Sequence, residues 1–358
     1  MIKVDINLNE RSYPIYITKD YTGFVKSISD LGIAGKIALI TDTNVDKYQC
    51  EDFVKYLEQS EFYVSKYVIE AGEHSKTLET TQNIYKFLYT QKVDRSSTVI
   101  ALGGGVTGDV AGFAASTYLR GINFIQVPTS LLAQADSGVG GKVGVDFKGA
   151  KNLIGSFYQP RMVYININTL RTLPVRELKS GLAETIKHGI ICDEDFFEYI
   201  SCNIEKIFLY DEIVLMDLAK RNCEIKGFVV ERDENENGLR EVLNFGHTIG
   251  HAVESVTNFK LLHGECVSIG IIGAFKMAEL LGFVEKNLVS RVEKTLKNAE
   301  LPVKLPSLDL ENLYNQMLFD KKVRNGRISF ILPERIGKIK KYKTNDKSFI
   351  LKVLDMMR

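Results

Sequence analysis

Charge of one sign is what this sequence lacks most plainly: 46 Lys and Arg stand against 45 Asp and Glu, a formal net charge of +1. No overall basic field is available to hold a polyanion, so nucleic acid is not the expected partner. Any anion must be bound locally. Long apolar runs are missing too, since stretches such as VSIGIIGAF fall far short of the ~20 residues a membrane-spanning helix needs. The first twenty residues, MIKVDINLNERSYPIYITKD, scatter charges every few positions and offer neither a signal peptide's apolar stretch nor an arginine-rich transit helix. A cytoplasmic protein with no membrane partner is expected. Cysteine is scarce and unpaired in pattern: Cys50, Cys192, Cys202, Cys223 and Cys266 are odd in number and form no CxxC, which argues against a disulfide framework and a thiolate zinc site. They read as small apolar residues. Histidine is scarce as well, with five in the chain.

What is present is ordinary in bulk and specific in detail. A chain of 358 residues is too long for one ordinary core, and 45% hydrophobic with 25% charged residues is the composition of a folded globular protein. Up to about residue 170, short β-branched runs (KIALITD, STVIALGGG, NFIQVPTS, MVYININ) alternate with helical stretches such as TLETTQNIYKFLYTQ. That alternation predicts βαβ units in a mostly parallel sheet, a Rossmann-like α/β nucleotide-binding domain over residues 1–171. Beyond RTLPVRELKSGLAE the strand signals thin and long amphipathic segments take over, among them DEIVLMDLAKRNCEIKGFVVERD, GHTIGHAVESV and HGECVSIGIIGAFKMAELLGF. A mainly α-helical domain is expected over 172–358, with GRISFILPERIGKIKKY as a small hairpin near its end.

Three clusters carry chemistry. TVIALGGGVTGDVAGFAAS runs from a buried strand through Gly103, Gly104 and Gly105 into a helix, so its backbone N–H groups and dipole end favour a pyrophosphate. The spacing is not GxGxxG, and a bare glycine turn serves structure as readily as binding. Asp42 at the end of LITD could accept hydrogen bonds from ribose hydroxyls. AGEHSKT sets Glu73 and Lys76 between a strand and a helix, where Glu73 reads equally as a capping acid. In VPTSLLAQADSGVGGKVGVDFKGAKNLIGSF, the polar ends of Asp136, Lys142, Lys151 and Asn152 stand among glycines and apolar residues, which fits the wall of a cleft better than a solvated loop. The third cluster is histidine. His247 and His251, at i and i+4, share a helix face, and His263 follows in LLHGECVSIG. Histidines with a carboxylate partner are a common set for a catalytic zinc. The carboxylate candidate is Glu184 in GLAETIKHGI, and His188 lies one turn from it. Residue chemistry leaves the set open: three histidines, or two with Glu184.

These motifs together, from GEHSK, GGGVTGD, GFAASTYLRGI, VPTSLLAQADSGVGGKVGVD and KNLIGSFYQP to GLAETIKHG, LNFGHTIGHAVE, HGECVSIG and DKK, resemble the 3-dehydroquinate synthases of the shikimate pathway over nearly the whole chain. The resemblance implies that Glu184, His247 and His263 hold zinc or cobalt, and that the active site occupies a cleft between the two domains. It implies NAD bound by Asp42, Glu73, His74, Lys76, Gly104, Gly105, Val106, Asp109, Thr129, Ser130, Lys142, Lys151, Thr169 and Thr172. The implied substrate is a phosphorylated sugar acid, 3-deoxy-D-arabino-heptulosonate 7-phosphate. Its carboxylate falls to Lys142, Lys226 and Arg240; its phosphate to Asn152, Lys187, Asn244, His251 and Lys321 or Lys322; Asp136 and Lys151 complete the substrate set. Lys142, Glu184, Lys187, Arg240, Asn244 and His251 are the implied catalytic groups. Arg120 in STYLRGI is expected to reach a partner's site in a homodimer. Gly138 replaces the family's usual serine and Ala150 its usual glycine, and Ser180 stands where asparagine is common.

Overall fold

The computed structural model describes residues 1–60, 62–148, 150–236, 238–318 and 327–358. The chain divides into two compact units, one of Met1–Pro174 with Tyr210–Glu231 and one of Val175–Leu209 with Arg232–Arg358.

The first unit is built on a sheet whose strands are β1 (Ile2–Ile6), β2 (Tyr13–Thr18), β3 (Lys36–Asp42), β4 (Tyr63–Ile69), β5 (Thr98–Gly103), β6 (Asn123–Pro128) and β9 (Met162–Asn166), in the order β1-β2-β9-β6-β5-β3-β4. Every neighbouring pair is parallel except β1 with β2. Side chains alternate between the faces with the strand period of two. Ala38, Ile40, Val99 and Ala101 pack with Val110, Ala111 and Ala114 of the helix Gly105–Thr117 on one face. Ile37, Leu39, Ile100 and Leu102 pack with Phe24, Ile28, Phe53 and Leu57 on the other. Both faces are therefore covered, which is why these strands read as unbroken apolar runs. The order turns at β3: the chain moves outward to β4 and then returns to pair β5 on the opposite side, a switch point of the kind that opens a crevice at the carboxyl ends of the strands.

Two parts of this unit depart from the pattern expected from sequence. The glycine-rich segment after Ser130 forms a separate antiparallel hairpin of β7 (Lys142–Phe147) and β8 (Ala150–Phe157), in which Gly144 lies opposite Gly155. A Cβ on either would fall within 2.5 Å of the other strand's backbone, so only glycine permits this close approach. The helix Glu212–Arg232, expected among the later helices, belongs through Glu231 to the first unit. Amphipathic spacing announces a buried face but not the surface that buries it. Here Gly227 lies against Ile6, the Cys223 thiol meets the Gln134 carbonyl, and Lys226 pairs with Asp136.

The second unit is helical: Val175–Cys192, Glu194–Phe208, His247–Val256, His263–Leu280, Lys286–Asn298, Leu310–Leu318 and Lys347–Asp355, with the expected hairpin of β10 (Ile328–Arg335) and β11 (Lys338–Thr344). Val175–Cys192 and His263–Leu280 are buried on nearly all sides and form its centre. Glycine lets three of the helices touch backbone to backbone. A Cβ on Gly270 would sit 1.8 Å from the Gly246 carbonyl oxygen, and one on Gly264 would sit 1.9 Å from that of Ser180. Among the described residues no helix is long and apolar enough to cross a membrane.

Candidate functional site

In the first unit, the expected nucleotide residues gather at the carboxyl ends of parallel strands. Asp42 ends β3; Glu73, His74 and Lys76 follow β4; Gly104, Gly105 and Val106 follow β5; Thr129 and Ser130 follow β6; Thr169 and Thr172 follow β9. Gly104 is the N-cap of the helix Gly105–Thr117, whose first turn carries neither a side-chain cap nor an acidic residue. The N–H groups and positive dipole end are thus left to an anion. Asp42 has a further task beyond the ribose contact expected of it. Its Oδ1 accepts the N–H groups of Asn44 and Val45 at 3.0 and 3.1 Å, and its Oδ2 accepts the Thr107 hydroxyl at 3.0 Å. One carboxylate therefore caps the turn after β3 and ties it to the glycine turn after β5.

Lys76 and Asp109 form a buried ion pair at 2.5 Å. Burial works against the charge on Lys76, but the carboxylates of Asp109 and Glu73 outweigh it and hold the ammonium above the ordinary lysine pKa. Glu73 caps nothing: the following helix is capped by the Thr77 hydroxyl, and the Glu73 carboxylate instead meets Lys151 Nζ at 3.3 Å. Gln49 binds the Thr169 carbonyl at 3.0 Å and the Thr172 hydroxyl at 2.7 Å, which fixes the turn after β9. Lys142 opens β7 and is exposed, while the Asn152 N–H donates to Asp146 at 2.7 Å. Asp136 and Lys226, 90 residues apart, are joined at 2.7 Å through Oδ1 and again through the Asp136 carbonyl. Arg120 is exposed, and with Leu119 it holds a left-handed backbone, φ 67° and 50°.

In the second unit, Glu184, His247 and His263 present ligand atoms that all lie within 4.8 Å of one another. Glu184 Oε1 is 3.6 Å from the Nε2 of each histidine, whereas Oε2 takes the Lys187 ammonium one helical turn on. The carboxylate is fully buried, so its charge must be met by cations. His247 Nδ1 lies 3.0 Å from the Phe245 carbonyl, which selects the tautomer that turns Nε2 toward Glu184. Burial, helped by Lys187, holds the His247 pKa well below the usual value, so the ring is neutral. Burial also opposes charge on His263, yet Glu184 and Glu254 outweigh it and raise its pKa to about 9. Of the ligand sets the residues alone left open, the geometry assembles Glu184 with His247 and His263. His251 stands one turn beyond His247, exposed, its ring 5.9 Å from that of His263. His188 is buried outside this trio.

Two further cations expected at the substrate are buried here, Lys187 and Arg240, each 1% exposed. Arg240 Nη1 donates to the Glu234 carbonyl at 2.7 Å, and the Asn244 amide donates to Glu236 at 3.3 Å. Lys321 and Lys322 lie outside the described residues. Ser180 is noted in the sequence only as a departure from the family, and Glu254 is not singled out there. The Ser180 hydroxyl accepts the Gly264 N–H at 3.0 Å and so joins the helix of Glu184 to that of His263. Glu254 Oε1 is 3.8 Å from His263 Nδ1. Its signal was its position, two turns after His247 on the same helix.

The family described as 3-dehydroquinate synthase N-terminal matches residues 66–180, and that described as 3-dehydroquinate synthase C-terminal matches 181–323. A 3-dehydroquinate synthase of Acetivibrio thermocellus is 57% identical over 355 residues, 99% of each chain. Among solved structures, a 2-deoxy-scyllo-inosose synthase complexed with carbaglucose-6-phosphate, NAD+ and Co2+ is similar with a TM-score of 0.91, at 26% identity over 100% of both chains. The 2-epi-5-epi-valiolone synthase of Streptomyces hygroscopicus, with NAD+ and Zn2+ bound, gives 0.90 at 26% identity over 98% of both.

Proposed function

Because the chain belongs to the 3-dehydroquinate synthase family, we propose that NAD and a divalent metal, zinc or cobalt, serve its reaction. That reaction is the family's: a lyase-type cyclisation in the shikimate pathway that converts 3-deoxy-D-arabino-heptulosonate 7-phosphate to 3-dehydroquinate and phosphate. The observation that carries the metal proposal is the Glu184, His247 and His263 cluster, whose donors are two imidazoles and a carboxylate at mutual distances one ion can bridge. The glycine turn at Gly104 fits a dinucleotide pyrophosphate for the reasons of backbone access and dipole given above. Solved relatives carry NAD+ with Co2+ or Zn2+, which supports both assignments.

When bound, NAD supplies a hydride acceptor restored within the same turnover, and the metal supplies Lewis acidity toward the reacting hydroxyls; together they account for transient oxidation, phosphate elimination, reduction and aldol closure. The protein's own groups bind and orient. Glu184, His247 and His263 would hold the metal, with the Phe245 carbonyl fixing one ring. By the resemblance, Lys187, Arg240, Asn244 and His251 would take anionic groups of the substrate, as would Lys142, Asn152 and Lys226. Lys187 and Lys226 already meet the carboxylates of Glu184 and Asp136, and a substrate bearing both carboxylate and phosphate would add anionic partners at these buried cations. Asp136 would hold Lys226 in place and fix its direction. No side chain is assigned as the essential base, since the departing phosphate is itself basic enough to receive the neighbouring proton. Arg120, strained and exposed beside Leu119, would complete the site of a second copy in a homodimer.

The test follows phosphate release from 3-deoxy-D-arabino-heptulosonate 7-phosphate together with NADH absorbance, with and without chelator. Phosphate release with no net NADH, abolished by the chelator, is expected. Turnover of sedoheptulose 7-phosphate or glucose 6-phosphate instead, or accumulation of NADH from a simple polyol, would overturn the reading.

A further inference from the structure

His263 is bracketed by two carboxylates, one at each ring nitrogen. Its Nε2 lies 3.6 Å from Glu184 Oε1 and its Nδ1 lies 3.8 Å from Glu254 Oε1. Glu254 sits on the helix His247–Val256 two turns after His247, so the face that presents one imidazole also presents this carboxylate. It is 4% exposed, a depth at which a carboxylate is retained only when it meets a group that can answer its charge. His247 shows the same plan with a different acceptor: Nε2 toward Glu184, Nδ1 on the Phe245 carbonyl. The two imidazoles thus converge on one carboxylate oxygen, and each has an acceptor behind it.

We infer that Glu254 is a positioning residue, which accepts the Nδ1 proton of His263 and holds its Nε2 toward Glu184. The inference rests on the metal reading above. A ring held only through its Cβ is free to turn, whereas a carboxylate behind it fixes both tautomer and direction and increases the basicity of the ligating nitrogen. Glu254 could instead be a ligand itself, since His251, Glu254 and His263 also bring donor atoms within 4.8 Å of one another. That set and the Glu184 set share His263, and the inward pointing of both Nε2 atoms favours Glu184 as the ligand and Glu254 as the support.

The experiment titrates zinc against a chromophoric chelator with the metal-free full chain, in wild type, Glu254→Ala, Glu254→Gln and His247→Ala, and records metal-free thermal unfolding of each. Glu254→Ala should lose about 10- to 100-fold in zinc affinity, with an unfolding midpoint close to wild type. Glu254→Gln keeps an acceptor oxygen and should recover part of that loss, and visible spectra of the cobalt forms should change in Glu254→Ala and less in Glu254→Gln. Equal zinc affinity in wild type and both Glu254 variants, while His247→Ala falls, would overturn the inference and leave the metal site standing. Failure of wild type to bind zinc would overturn both. Loss of a second equivalent of zinc in the Glu254 variants would make Glu254 a ligand, and an equal affinity loss in Ala and Gln accompanied by a lowered midpoint would make it a structural residue; either result overturns the positioning role.

Discussion

Gly270→Ala tests whether the backbone contact beneath the proposed metal ligands sets their geometry. Gly270 lies in the middle of the helix His263–Leu280, where alanine by itself would favour the helix by about 1 kcal/mol. The added Cβ, however, would lie 1.8 Å from the Gly246 carbonyl oxygen and 2.9 Å from the Gly250 nitrogen, whereas ordinary contact begins at 3.4 Å. Both obstacles are backbone, so no rotamer relieves them, and the helices must part by about 1.6 Å. Overpacking of this kind costs roughly 1–3 kcal/mol, and rigid backbone partners place it at the upper end. A net destabilisation of about 2 kcal/mol remains after the helix gain is subtracted. The larger consequence is positional. Gly246 precedes His247, and a metal site tolerates about 0.2 Å in its bond lengths, so a shift several times larger should weaken zinc binding tenfold or more. The control is Gly273→Ala on the same helix, whose Cβ would meet the tip of Ile249 at 2.4 Å, a side-chain end able to turn aside. Zinc competition and thermal unfolding would be measured on both. Wild-type affinity and midpoint in Gly270→Ala would refute the claim that backbone contact sets the ligand triangle.

Glu184→Gln, His247→Ala and His263→Ala should each lower zinc affinity and abolish turnover while leaving the far-ultraviolet circular dichroism unchanged; full activity after exhaustive chelation would remove the metal from the account. Lys76→Met strands the buried Asp109 carboxylate, and breaking a buried pair costs about 3–5 kcal/mol, so denaturant unfolding should shift markedly and Asp109→Asn in the same chain should restore much of the loss. Arg120→Ala mixed with His263→Ala should regain activity in verified heterodimers if one protomer completes the other's site; no recovery would place Arg120 outside it.

The legible parts of this molecule were those where local pattern and tertiary role coincide. KIALITD, STVIALGGG and NFIQVPTS became β3, β5 and β6 because strands covered on both faces need apolar residues at every position. His247 and His251 share a helix face as their spacing requires, and Glu184 joined His247 and His263 as the resemblance implied. The hairpin of β7 and β8 was hidden because the glycines that let its strands approach so closely are the residues that ordinarily announce a loop. Likewise, nothing in DEIVLMDLAKRNCEIKGFVVERD says that its apolar face would be covered by Ile6 and Gln134, since hydrophobic periodicity carries no address. Glu254 escaped notice for a third reason: an acid on a helix is commonplace, and only the imidazole beside it gives it meaning.

The return of Tyr210–Glu231 to the sheet-bearing unit has a consequence for biosynthesis. Neither unit is one continuous stretch of chain, so the sheet emerges from the ribosome well before the helix that completes its unit. Until that helix arrives, Ile6, Gln134 and Asp136 lack the contacts that Gly227, Cys223 and Lys226 give them, and the surface around them is open to solvent and to other nascent chains. At about 5–20 residues per second the interval lasts several seconds, long enough for chaperone binding or misassembly. A fragment ending at Pro174 would never leave that state, and its Asp136 would never meet Lys226.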